Sequence, residues 1–195
     1  MFKNRYEAAM LLAKKLEKYK NKNGLILAVP RGGVPVGYHI AKELNLPLDI
    51  ILSKKIGHPQ NPEFAIGSVS LYGTIINDNI TNVSEEYIHQ EAKRLLVGLE
   101  QKFKLYMGDR KPTELKDKTI IIVDDGIATG NTILVTLDML KKSNPKEIII
   151  AVPVAPSDTA KKLAKYVDEF ICLNVPSDFM GVGQFYRNFS QESDE

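Results

Sequence analysis

Residues 119–132 read Thr-Ile-Ile-Ile-Val-Asp-Asp-Gly-Ile-Ala-Thr-Gly-Asn-Thr, and they gather the groups best suited to chemistry. Two adjacent carboxylates, Asp124 and Asp125, are followed by Gly126, Thr129 and Gly130, and an apolar-periodic helix opens at Asn131. In an open α/β sheet, ligands lie outside the carboxyl ends of the strands, where helix N-termini bind anions. A bare phosphate would be repelled by the acidic pair. The ligand expected here therefore also presents hydroxyls or a cation, as a sugar phosphate with magnesium does.

Two further segments carry compatible groups. Pro30-Arg31-Gly32-Gly33 follows the apolar run 25–29, and Lys54-Lys55 follows the run 48–52. Arginine binds phosphate bidentately, and glycines let backbone N–H groups approach it closely. Parallel strands joined by right-handed crossovers place their carboxyl ends on one side. One rim is thus expected to bear a guanidinium, two ammonium groups, glycine-rich backbone and two carboxylates. The segment 126–131 lacks the Gly-Lys-Ser/Thr ending of a nucleotide-binding P-loop. Gly33-Val-Pro-Val-Gly37 has the wrong glycine spacing for a dinucleotide fingerprint. His39, His58 and His89 have no metal-ligand spacing, and only His58 lies in a loop that could reach a substrate. A Ser-centred nucleophile elbow is absent.

The elements that must position these groups alternate along the chain. The spacing of Ala9, Leu12, Ala13, Leu16 and Tyr19 predicts an N-terminal helix over 5–20 with a solvated lysine face. A strand at 25–29, a helix at 34–44 and a strand at 48–52 follow. Residues 56–64, rich in Gly, Pro and Asn, read as a loop, and 65–71 with 74–77 as a hairpin. Ser84 is placed to cap a long helix whose stripe is Ile88, Ala92, Leu95, Leu99, Phe103 and Tyr106. The strand 120–123 and its helix follow, then a strand at 147–154, a helix at 157–166 and a strand at 169–175. The fold class expected is α/β, a mainly parallel twisted sheet flanked by helices, as one domain over 1–195. With 44% hydrophobic and 26% charged residues and a net charge of +2, nothing demands a nucleic-acid or membrane partner. Cys172, alone, is expected as an inert thiol. The charged N-terminus and the lack of a long apolar run point to a cytoplasmic protein. The acidic residues of 190–195 read as a frayed tail.

Val123-Asp-Asp-Gly-Ile-Ala-Thr-Gly130 resembles the 5-phosphoribosyl-1-pyrophosphate (PRPP) binding motif of the type I phosphoribosyltransferases. The resemblance extends over about 5–189, since the order of elements and the Arg31-Gly32-Gly33 loop also match. It implies that Asp124 and Asp125 hold the ribose hydroxyls and help place Mg²⁺. Gly126, Ile127, Ala128, Thr129, Gly130, Asn131 and Thr132 would wrap the 5′-phosphate. Arg31, Gly32 and Gly33 would form the pyrophosphate loop, which in this family often holds a cis peptide. Lys54 or Lys55 would reach the pyrophosphate, and residues 56–75 would be a mobile flap closing over the reaction.

The activity implied is transfer of the phosphoribosyl group of PRPP to a nitrogenous acceptor, such as a nucleobase, by a homodimer. The acceptor is not specified. Where the hypoxanthine-guanine branch carries a basic aspartate, this chain has Ala128. Residues 176–189 resemble the family's hood, in which Phe179 would stack on a base, with Gln184, Tyr186 and Arg187 nearby. The alternative of the same fold is a regulator that binds PRPP without consuming it.

Overall fold

The computed structural model of the chain describes residues 1–77, 80 and 82–193. Five strands, β1 (Gly24–Ala28), β2 (Leu48–Ile50), β6 (Thr119–Val123), β7 (Glu147–Val154) and β8 (Glu169–Asn174), form a parallel sheet in the order β2-β1-β6-β7-β8. Every residue of β1 and β6 is buried, as expected of strands covered on both faces. Alternation then sorts their side chains. Ile26, Ala28, Ile121 and Val123 face Leu12, Leu16, Val36, Ile40 and Leu44 of α1 (Arg5–Lys15) and α2 (Gly33–Leu44) and the residues that follow α1. Leu25, Leu27, Ile120 and Ile122 face Leu137, Leu140 and Leu163 of α4 (Asn131–Lys142) and α5 (Ser157–Ala164). The first helix stops short of its expected end, and a 3₁₀ turn at Glu17–Tyr19 completes it.

A second sheet, not expected in this extent, is antiparallel: β3 (Ser53–His58), β4 (Asn61–Ser70) and β5 (Gly73–Ile76). Residues 56–64 are therefore mostly strand, and the hairpin of β4 and β5 is as expected. Gly57 sits where the β3–β4 register shifts, so it marks a bulge and not a break. Pro62 lies at the outer end of β4, beyond the residues that β5 pairs, where a missing N–H costs nothing on that side. The inner half of this sheet is buried at Ile56, Ile66, Val69 and Ser70, whereas Asn61–Ala65 at its outer end are exposed. Its base is covered by α4 and by α3 (Glu85–Met107), which Ser84 caps through Tyr87 N–H at 3.2 Å. Of the long α3 stripe only Leu99 and Phe103 are buried.

Polar groups pin the edges. Asp49 of β2, fully buried, accepts from Ile50 N–H at 2.8 Å, Thr113 N–H at 2.8 Å and Thr113 Oγ1 at 2.6 Å, which fastens the connector after α3 to the sheet. Glu169 of β8 accepts from Tyr19 Oη and pairs with Lys18 Nζ, each at 2.7 Å. Burial, then the Glu169 bond, pushes the Tyr19 phenol up to about 12. Among the described residues no helix is long and apolar enough to cross a membrane.

Asp49→Ala strands the Thr113 donors away from an acceptor and is expected to cost about 3 kcal/mol in urea unfolding. Tyr72→Phe should be neutral or slightly stabilising by the same measurement, because the buried Tyr72 hydroxyl has no hydrogen-bond partner among the described residues. A third expectation concerns pH. Lys18, then Tyr19, hold the Glu169 carboxyl below its ordinary 4.5. A depressed acid adds stability that is present above its unfolded value and is lost as pH falls through the folded one. Melting temperatures below pH 4.5 should therefore fall less steeply in Glu169→Gln than in the wild type.

Candidate functional site

β1 and β6 are neighbours with Ala28 opposite Val123, so the loops after them leave the sheet side by side. After β6 the chain turns through Asp124 and Asp125 into a loop anchored from behind. Ile127 is buried and donates its N–H to Val154 O at 2.9 Å; Ala128 O accepts from Thr159 Oγ1 at 2.7 Å. Gly130 has φ +70°, the left-handed region that favours glycine, and a Cβ there would also lie 3.0 Å from Leu163 and Thr159. Ala128, Thr129, Asn131 and Thr132 are left exposed. The helix they open, α4, has no side-chain cap and no acid in its first turn. Its first-turn N–H groups and positive dipole end are thus available to an anion. Lys162 of α5 adds a cation beside the loop, donating to Asn131 Oδ1 at 3.1 Å.

The loop after β1 packs directly on the acidic pair. Its Pro30–Arg31 peptide bond is cis, and α2 begins at Gly33, also without a side-chain cap. The glycines serve a purpose beyond the expected one. A Cβ at Gly32 would overlap the Asp125 carboxylate, and one at Gly33 would lie 2.8 Å from Val123 O. Both are required by the close approach of this backbone to the end of β6. Arg31 is exposed on the rim.

The two carboxylates differ in their surroundings. Asp124 is half-buried, and its Oδ1 accepts from Asp125 N–H at 2.8 Å. Burial, then the charge of Asp125, raises the Asp124 pKa well above the ordinary range. Asp125 is buried, and Arg5 of α1 grips its Oδ2 through Nε and Nη2, both at 2.8 Å. Burial raises the Asp125 pKa while Arg5 opposes that rise. Tyr186, also buried, donates its hydroxyl to Asp125 O at 2.6 Å, and burial raises its own pKa. Sequence reading missed Arg5, although a signal was present: residues 5, 8, 9, 12 and 13 form the buried stripe of α1, and Arg5 is its one charged member.

Lys54 and Lys55 fall on opposite faces of β3, as successive strand residues must. Lys55 shares its face with Ser53, whose Oγ meets Thr136 Oγ1 of α4 at 3.5 Å, so that face is turned toward the helix bearing the 126–132 loop. Lys55 Nζ is paired with Glu63 of β4 at 2.9 Å. Phe179 stacks on Phe185 at 5.6 Å within the hood, and Val182 covers Gly126 so closely that a Cβ there would lie 2.6 Å away. Gln184 accepts from Met180 and Gly181 N–H, shaping the hood from within. Tyr186 backs Asp125 and does not line an open acceptor site. His58 accepts from Gln60 N–H in the β3–β4 turn, His39 lies between Tyr6 and Tyr38, and His89 is on α3. The Cys172 thiol is half-buried and bonded to Asn174 O, and burial raises its pKa, in keeping with an inert group. The acidic end is not frayed throughout: Arg5 Nη1 donates to Ser190 O and Glu192 Oε1. Asp194 and Glu195 lie outside the described residues.

The rim thus sets an uncapped helix start on either side of an acidic pair. The chain belongs to the phosphoribosyl transferase domain family, which it matches over residues 3–190. It is 35% identical over 199 residues to two proteins of Mycobacterium tuberculosis, from strains H37Rv and CDC 1551, named provisionally as phosphoribosyl transferases. The match takes in all of this chain but 45% of those relatives, so the chain spans about half their length. The crystal structure of TT1426 from Thermus thermophilus is 32% identical with a TM-score of 0.86, covering 100% of this chain and 94% of that one. The AQ2163 protein of Aquifex aeolicus, at 17% identity and a TM-score of 0.53, shares the fold over 88% of this chain and 72% of its own.

Gly32→Ala must push Asp125 off Arg5 or shift the loop, and overpacking of this kind costs about 1–3 kcal/mol. A lowered melting temperature is expected; an unchanged one would mean that the loop and the acidic pair are not in contact.

Proposed function

We propose that the chain is a phosphoribosyltransferase that binds PRPP and transfers its 5-phosphoribosyl group to a nitrogenous acceptor, releasing pyrophosphate. The observation that carries this reading is the pair of uncapped helix starts, α2 and α4, flanking Asp124 at adjacent strand ends. Two anion sites separated by a carboxylate suit a molecule with a phosphate at each end and hydroxyls between. In this reading Gly126, Thr129, Gly130, Asn131 and Thr132 take the 5′-phosphate, Asp124 faces the ribose, and Arg31 with the Gly32–Gly33 backbone takes the pyrophosphate. Lys55 is the better placed of the two lysines to follow, by exchanging Glu63 for the ligand.

The residues present fit magnesium brought in by its substrate. Among the described residues no three His, Cys, Asp or Glu side chains gather as a ligand set. Magnesium is commonly held by one or two carboxylates plus substrate phosphates, and Asp124 on the rim can supply such a carboxylate. Bound with the pyrophosphate, the ion would offset the charge that develops on the leaving group. Breaking the anomeric C–O bond leaves cationic character on the sugar and negative charge on pyrophosphate. In this reading Arg31 and Lys55 stabilise the latter, and closing of the β3–β4 tip excludes water. Ala128 offers no base, so the acceptor gives up its proton without help from that position. Phe179, already stacked on Phe185, extends an aromatic surface on which a planar acceptor can lie.

Calorimetry should show saturable binding of PRPP in the presence of Mg²⁺, weakened at least about tenfold by Asp124→Asn, the loss of about 1.4 kcal/mol. Unchanged affinity in that variant would remove Asp124 from the site. A panel of purine and pyrimidine bases, assayed for pyrophosphate release, identifies the acceptor. Tight PRPP binding with no release for any base would mark a sensor and overturn the transferase reading.

A further inference from the structure

We propose that Arg5 is a positioning residue that takes one of the two motif charges out of the site, and that the segment 189–192 completes its hold. This rests on the reading of the rim as a phosphoribosyl and pyrophosphate site. Arg5 comes from the opposite end of the sequence, 120 residues from Asp125, and is 8% exposed. Its Nε and Nη2 both end on Asp125 Oδ2; its Nη1 ends on Ser190 O at 2.8 Å and Glu192 Oε1 at 2.9 Å. Its guanidinium lies 4.1 Å from the centre of the Phe189 ring. All three nitrogens and one planar face of the group thus meet partners that fix it.

What this arrangement does follows from where Asp125 lies. Its carboxylate fills the space that a Cβ of Gly32 would need, so it sits against the backbone proposed to receive pyrophosphate. A phosphoryl group held there would be nearer to that carboxylate than the screening length, about 8 Å at physiological salt. Unmasked, the carboxylate would repel a polyanion. With Arg5 on Oδ2 the charge is compensated from behind, and only Asp124 is presented to the ligand. Glu192 and Ser190 O hold the third corner of the guanidinium and keep it facing Asp125, as a planar fork with fixed donors allows. The motif's two acids therefore have different duties, one toward the ligand and one toward the scaffold.

The test uses inorganic pyrophosphate with Mg²⁺, a probe without ribose, alongside PRPP. Calorimetry is run on wild type, Arg5→Met and the double variant Arg5→Met/Asp125→Asn, with melting temperatures recorded for each. Arg5→Met leaves Asp125 unmasked and is expected to weaken pyrophosphate at least about tenfold at temperatures where it is folded. The double variant removes both charges and should recover pyrophosphate binding to within about threefold of wild type, although it lacks the arginine. Packing alone predicts otherwise: a lower melting temperature in Arg5→Met with unchanged pyrophosphate affinity, which overturns the proposal. A double variant that folds yet stays tenfold weaker than wild type overturns it too, and this comparison stands even where Arg5→Met alone does not fold. Wild type binding neither ligand would sink the reading of the rim and this role together, whereas the other failures sink the role alone.

Discussion

Two carboxylates placed side by side at the end of a buried strand must dispose of their charge before anything else at that rim can be arranged. β6 delivers Asp124 and Asp125 into a volume bounded by the backbone of Gly32 and Gly33 on one side and by α1 on the other. Successive residues leave a strand in opposite directions, so the two side chains part there: one is half-buried on the rim, the other is buried against Arg5. The rest of the arrangement depends on this division. The loop after β1 can approach only because it carries glycines, and α1 must lie across that end of the sheet to bring its arginine.

The parallel sheet supplies the frame. Its two central strands, β1 and β6, are sealed on both faces by unbroken apolar runs, and this fixes their ends to within a residue by register. Precision at the rim is inherited from that packing. The loops themselves need little internal structure, because each is fastened from below: Ile127 to β7, Ala128 to α5, and Asp125 to α1 and Tyr186. The exposed residues Arg31, Thr129, Asn131 and Thr132 are left at the top, on short tethers, with helix dipoles behind them.

How far the sequence revealed this varies with the range of the interactions. The strands around Ile121 and Ile149 and the helices after Gly32 and Gly130 were legible because burial on a fixed period leaves a pattern. The turn from β6 into α4 was legible because its glycines and the helix start are local signals. The sheet of β3 and β4 was not, since Gly57 and Pro62 look like breakers until pairing across the bulge is known. Gly32 has a neighbour that the sequence did not reveal, Asp125, far away along the chain. Arg5 was not singled out, though it stands on the apolar stripe of its helix. A charge in such a place is a mark of a distant partner, and only the fold says which.

The first and last described segments of the chain are stitched together. Phe2 exchanges backbone hydrogen bonds with Phe185 and Arg187, Asn188 donates to Lys3 O, and the rings of Phe2 and Tyr186 meet at 5.4 Å. A ribosome releases these partners in the opposite order to their use: α1 emerges first, β6 later, and the Tyr186–Glu192 stretch after every strand of the sheet. Until then Arg5 and Asp125 lack the groups that hold them in place. The nascent domain can thus complete its sheet before Arg5 and Asp125 acquire the contacts that fix them.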